Sequence, residues 1–312
     1  MGRKKRFGRS VNGVIVIDKP AGMTSNDVVQ QARRLFFASK AGHTGSLDPL
    51  ATGVLPVCFG EATKFSQYLL DADKEYVSEF VFGISTNTAD SDGETVRRKN
   101  ASGLSAAQLE QALANYRGVI QQMPPMYSAL KKNGQPLYKL ARQGIEVERQ
   151  ARPVTIHHFE LLAFEPGEQA RAQVNIRCSK GTYVRSLAED LGRDLGVGGH
   201  VGSLHRTQAG PYSSNVAHRL EDLQQARGEG RAEVLDHHLL PVDSPVTFFP
   251  ELHLEEDSGF YFGQGQAVMN TQVYRLGDEG DTVRVFLDSG PFLGLGRITD
   301  DGRVTPKRLV AQ

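Results

Sequence analysis

Residues 42–55, Gly-His-Thr-Gly-Ser-Leu-Asp-Pro-Leu-Ala-Thr-Gly-Val-Leu, exclude both a regular helix and an uninterrupted strand. Gly42, Gly45 and Gly53 permit backbone angles or close approaches that a Cβ forbids, and Pro49 fixes its own φ while driving Asp48 toward an extended conformation. The segment therefore reads as a shaped loop that holds a carboxylate in place. The apolar run Val54, Leu55, Pro56, Val57, Cys58, Phe59 has the composition of a buried strand and would pin the loop to the core. An ordinary Asp-Pro turn beside a helix cap satisfies the same residue types, so local chemistry alone leaves both readings open.

The flanking sequence alternates between strand and helix signals. Residues 13–18 form a β-branched run, and Lys19-Pro20-Ala21-Gly22 turns it toward a helix with Ser25 as the expected N-cap and Val28, Val29, Ala32, Leu35 and Phe36 at helical spacing. Residues 61–70 read as a second short helix. Residues 75–84 place Tyr76, Ser78, Phe80 and Phe82 on one face of a strand, and the polar stretch 86–102 reads as a hairpin tip. Ser105 caps a helix that stops before Gly118, and 121–125 runs extended into two prolines. A short helix at 135–142, with Lys131, Lys132, Arg149 and Arg152 around it, forms the most basic region after the N-terminus; phosphate contact and plain surface are both open readings. Residues 172–178 alternate as a strand. Ser179-Lys180-Gly181-Thr182 then leads into a helix with the stripe Val184, Leu187, Leu191, Leu195. Tyr183 and Arg185 fall in its first turn, off the stripe and free of core packing, and residues 198–200 read as a loop.

A chain of 312 residues exceeds what one core comfortably holds, and from Pro245 the texture changes to short strands and tight turns. We therefore expect a basic arm at 1–10, a mixed domain at 11–244 and a small β-rich domain at 245–312. No apolar run approaches the roughly 20 residues of a membrane span, and the basic N-terminus lacks the apolar stretch of a signal peptide. Cys58 and Cys178 sit in apolar runs with no metal-ligand spacing, which suits core thiols in a reducing cytoplasm. The net charge is zero, yet residues 1–10 carry five basic and no acidic side chains, whereas 246–312 carry six basic and ten acidic. Zero net charge argues against coating nucleic acid by bulk electrostatics; any RNA contact is expected to be local, with the arm either ordering on phosphates or remaining a solvated tail.

The loop at 42–55 resembles the aspartate loop of the TruB family of bacterial tRNA pseudouridine-55 synthases. So do, in the family's order, Asp-Lys-Pro-Ala-Gly-Met-Thr-Ser at 18–25, Lys-Glu-Tyr at 74–76, Pro-Pro-Met-Tyr-Ser-Ala at 124–129 and Ser-Lys-Gly-Thr-Tyr-Val-Arg at 179–185. The resemblance implies an α+β fold, with a mixed pseudouridine synthase domain followed by a PUA-like RNA-binding module. It implies isomerisation of uridine 55 in the T arm of tRNA, with a flipped base and Asp48 as nucleophile. Arg185 is the expected partner of Asp48, against a surface i,i+4 pair with Glu189. Tyr76 would stack on the uracil and take part in proton transfer, Tyr183 and Leu204 would contact the base, and His43 would meet the RNA. Lys19 and Pro20 would pack beneath the loop.

The chemistry implies no cofactor and no metal, and the sequence has no Walker loop, dinucleotide fingerprint or metal-spaced His/Cys cluster. A cytoplasmic monomer with tRNA as its partner, no membrane and no guide RNA is expected. Two other readings stay open: a non-catalytic RNA-binding or tRNA-folding protein, and a guide-RNA-dependent relative, which would carry longer terminal segments.

Overall fold

The structure, a computed structural model, describes residues 7–311. The expected basic arm falls mostly on residues 1–6, outside the described residues. The chain just beyond them is attached: Arg9 donates from its backbone to Phe37 O at 2.8 Å, and its guanidinium pairs with Asp236.

A ten-stranded mixed sheet organises the larger part of the chain. Its main path runs His218–Arg219, Gly13–Lys19, Thr52–Phe59, Gly199–Ala209, Lys74–Phe82, Arg171–Cys178, Arg152–Glu165 and Gly118–Gln122. Gly13–Lys19 and Thr52–Phe59 pair antiparallel along their length, from Gly13 opposite Phe59 to Lys19 opposite Gly53. Both are almost wholly buried, as their unbroken β-branched and apolar runs require.

Gly199–Ala209 is the keystone strand. It runs parallel to Thr52–Phe59, with Arg206 opposite Gly53, and antiparallel to Lys74–Phe82, with Arg206 opposite Tyr76 and Leu204 opposite Ser78. The loop expected at 198–200 is thus mostly strand, because Gly199 and His200 already pair with Phe82 and Val81. Gly53 answers the packing at this crossing: it has φ +99°, and a Cβ there would lie 2.3 Å from Arg206 O.

Helices Ser25–Leu35, Ala106–Ala114, Val184–Asp194 and Leu220–Arg227 contribute buried residues to the main core, which includes Val28, Leu109, Leu187, Leu223 and the sheet residues Phe80 and Ile176. The first helix is capped by Thr24 and not by Ser25: Thr24 and Asp27 form a reciprocal capping box, and Ser25 turns inward to bond Leu47. Residues 60–71 split into a 3-10 turn, Gly60–Phe65, and a short helix, Ser66–Asp71.

The C-terminal part has its own five-stranded sheet, in the order Glu251–Leu254, Thr282–Leu287, Phe292–Ile298, Arg303–Leu309, Val268–Met269, and its own core around Leu252, Phe262, Val283 and Val285. It joins the larger part through Phe65, Val246 and Leu295 and through Lys64 Nζ, which donates to Leu309 O at 2.9 Å.

Candidate active site

Asp48 stands on the loop between Ala41–His43 and Thr52–Phe59, and three neighbours hold that loop. Lys19, fully buried, donates from Nζ to Pro20 O at 2.9 Å, Pro49 O at 3.2 Å and Ala51 O at 2.6 Å. Ser25 exchanges hydrogen bonds with Leu47 N and O. Arg206, 1% exposed, donates to Val54 O at 2.7 Å and Gly45 O at 3.2 Å. The loop is therefore fixed on both sides of the aspartate, and the turn-only reading of its residue types omits this support.

The loop forms one wall of a cleft of about 370 Å³, which brings together Asp48, Tyr76, Tyr183, Arg185 and Leu204 with Lys74, Ser128 and Arg206. His43 is not in that lining. It ends the strand Ala41–His43, its ring half-buried and its Nδ1 without a hydrogen-bond partner; burial, aided by the Arg206 charge, lowers its pKa below the usual histidine range.

Arg185 lies 2.8 Å from Asp48, Nε to Oδ2, and 3.5 Å from Asp90, Nη1 to Oδ2. It also donates to Thr88 O at 3.0 Å and Tyr127 O at 2.7 Å. It is 4% exposed, so the expectation that it stands free of packing is corrected: the segments bearing Thr88, Asp90 and Tyr127 cover it. The alternative surface pairing with Glu189 is not formed among the described residues. Tyr183 is the N-cap residue of Val184–Asp194, and its backbone is clasped by Gln122 through bonds of 2.8 and 3.1 Å.

The electrostatics are those of recessed charge. Burial raises the Asp48 carboxyl above its usual range, and Asp90 adds to this, while Arg185 and Lys19 pull it down. Tyr76 is raised by burial, with Arg206 acting against the shift. Lys74 is lowered to about 8 by burial; its Nζ caps the Ser66–Asp71 helix through Leu69 O, Leu70 O and Ala72 O.

Sequence reasoning missed Arg206, Lys74 and Asp90. Arg206 had a signal, since Leu204 and Arg206 share the buried face of one strand. Asp90 had none, because its partner lies far along the chain.

Comparison with known proteins agrees with this architecture. The model of the TruB family pseudouridylate synthase N-terminal domain matches residues 33–184, that of the tRNA pseudouridylate synthase B C-terminal domain matches 185–247, and that of pseudouridine synthase II TruB, C-terminal, matches 250–310. The chain is 66% identical over 312 residues to tRNA pseudouridine synthase B of Saccharophagus degradans, covering 100% of both chains. It is 53% identical over 310 residues to tRNA pseudouridine synthase B of Pseudomonas aeruginosa, covering 99% of each. Among solved structures, that of a Cbf5-Nop10-Gar1 complex aligns with a TM-score of 0.69 at 26% identity, covering 96% of this chain and 84% of the matched one. Fold and site together define a pseudouridine synthase domain with a PUA-like β module. Within that class, the chain belongs to the TruB family.

Proposed function

We propose that this chain isomerises uridine 55 in the T arm of tRNA to pseudouridine, acting as a cytoplasmic monomer without guide RNA or cofactor. The observation that carries the reading is the Arg185–Asp48 ion pair inside a cleft that also takes the Tyr76 ring and the Leu204 side chain. The substrate class comes from the two bacterial relatives, both tRNA pseudouridine synthases matched over essentially their whole length.

The isomerisation breaks the C1′–N1 bond and forms C1′–C5. A proton leaves C5 and one is gained at N1, so composition is unchanged. Asp48 is the nucleophile, and either ribose C1′ or uracil C6 can receive it; both routes return the carboxylate. Its recessed position disfavours the ionised form, and Arg185 offsets this while fixing the direction of the attacking oxygen. A stacked uridine cannot present these carbons to a carboxylate within a cleft, so the nucleotide is flipped out. The Tyr76 ring then receives the uracil and its hydroxyl takes part in moving the C5 proton. Leu204 and Tyr183 enclose the base, and His43 meets the RNA it has left.

Tritium release from tRNA transcript labelled at uridine C5 tests this. Wild type should release tritium, whereas Asp48→Asn, or a transcript lacking the T-arm uridine, should not. Turnover by Asp48→Asn would remove the nucleophile assignment.

A further inference from the structure

Away from the cleft, two phenylalanine rings are held out to solvent. Phe7 is 80% exposed and Phe37 42% exposed, and they meet edge to face with centroids 5.1 Å apart. Phe37 has φ +48°, a left-handed conformation that bulky residues avoid. The backbone beneath them is firmly set: Arg9 N donates to Phe37 O at 2.8 Å, Ser39 N to Arg9 O at 3.0 Å and Arg9 Nε to Phe36 O at 2.8 Å. Gly8 fits so closely that a Cβ would lie 2.8 Å from Phe37 O. A strained, well-anchored turn thus displays aromatic surface that contributes nothing to a core.

The surroundings are cationic. Arg33 and Arg34 occupy the last turn of Ser25–Leu35, and Arg227 reaches over to donate to Arg34 O at 2.8 Å. Of the nearby acids, Asp236 is paired with Arg9, and Glu233 also faces Arg9. Exposed rings beside guanidinium groups are the elements of a platform for unpaired nucleobases and their phosphates.

The position complements the cleft. Phe36 packs on Phe59 with ring centroids 5.0 Å apart, at one end of Thr52–Phe59, whereas Thr52 and Gly53 at the other end pair with His205 and Arg206 beside the cleft. Eight residues of strand separate the two by about 23 Å. We propose that the Phe7–Phe37 pair is a second RNA contact, which stacks an unpaired base of the same tRNA outside the T arm. This rests on the function proposed above.

The test compares dissociation constants for full-length tRNA transcript and an isolated T-arm hairpin. Phe37→Asn, which suits the left-handed backbone, and Phe7→Ala should each weaken full-length tRNA by about tenfold, the scale of one base–aromatic stack, and leave the hairpin unchanged. Phe37→Tyr, which keeps a ring, should bind as wild type does. Unchanged tRNA affinity, or equal losses on both RNAs, would overturn the inference. So would an effect seen only on self-association by sedimentation, which would assign the pair to a contact between copies. Tritium release by wild type on the hairpin separates the two readings: its absence counts against the proposed function, and its presence without any Phe7 or Phe37 effect counts against the platform alone.

Discussion

The Nε of Arg185 lies 2.8 Å from Oδ2 of Asp48, while the rest of its guanidinium is held by Asp90 and by the carbonyl oxygens of Thr88 and Tyr127. One planar cation thereby transfers the positions of two separate segments to the Asp48 carboxylate facing the cleft. A lysine could supply the charge but not this fork.

Arg185→Lys should therefore lower kcat by about 10²- to 10³-fold, comparable to loss of a fixed electrostatic contact in other sites, with a smaller effect on KM. Arg185→Met also removes the charge that pulls the Asp48 pKa down, so the acid limb of the rate profile should move to higher pH. A pH–rate series on both variants checks this; an unmoved limb in Arg185→Met would show that Asp48 ionises independently of its partner.

Asp48 itself should weaken the fold at neutral pH. Its folded-state pKa is raised, so just above the unfolded value of 3.8 the folded protein binds more protons than the unfolded chain, and stability falls as pH rises through that window. Asp48→Asn removes the recessed charge and leaves Asp90 to balance Arg185. The variant should melt at a higher temperature than wild type at pH 7, with the gap closing as pH falls through the raised pKa. Equal or lower melting at pH 7 would contradict it.

What the sequence made legible depends on the range of the interactions involved. The Asp48 loop could be read because its glycines and proline act on their own backbone, and the strands around Tyr76 and Val174 because their burial alternates with little interruption. Gly199–Ala209 and Arg152–Glu165 could not, since each carries two register irregularities that break the two-residue period. Losing the first of these strands hid Arg206, whose role depends on the crossing with Gly53 and Tyr76. Arg185 was recognisable by motif, yet its burial was not, because the segments that cover it come from distant parts of the chain.

Gly53 tests that crossing directly. Alanine there would meet Arg206 O at 2.3 Å and hold φ near +99°, so backbone must shift on the strand carrying Leu204 and Arg206. Gly53→Ala should destabilise the protein by about 2–4 kcal/mol, combining overpacking with left-handed strain, and should lower kcat because the same displacement reaches Tyr76. Urea unfolding and tritium release measure the two effects. Wild-type stability would mean that the crossing has slack.

Lys19 gives an unusual pH signature. Burial lowers its amine from 10.5 to about 8 in the folded state. Between those values the unfolded chain binds more protons than the folded one, so this residue makes stability rise with pH across the window from 8 to 10.5. Lys74, also lowered to about 8, acts with the same sign, while the buried thiols of Cys58 and Cys178, raised from 9.0, oppose it as pH passes 9 and the raised tyrosines as pH passes 10. The rise should thus be visible between roughly pH 7.5 and 9. Lys19→Met should remove about half of the lysine contribution, since Lys74 remains, and should reduce kcat by freeing Pro49 O and Ala51 O in the turn that follows Asp48. Denaturant midpoints at closely spaced pH values decide the matter. A variant with the full wild-type slope would show that the Lys19 amine stays protonated in the folded protein, held by its three carbonyl partners against the pull of burial.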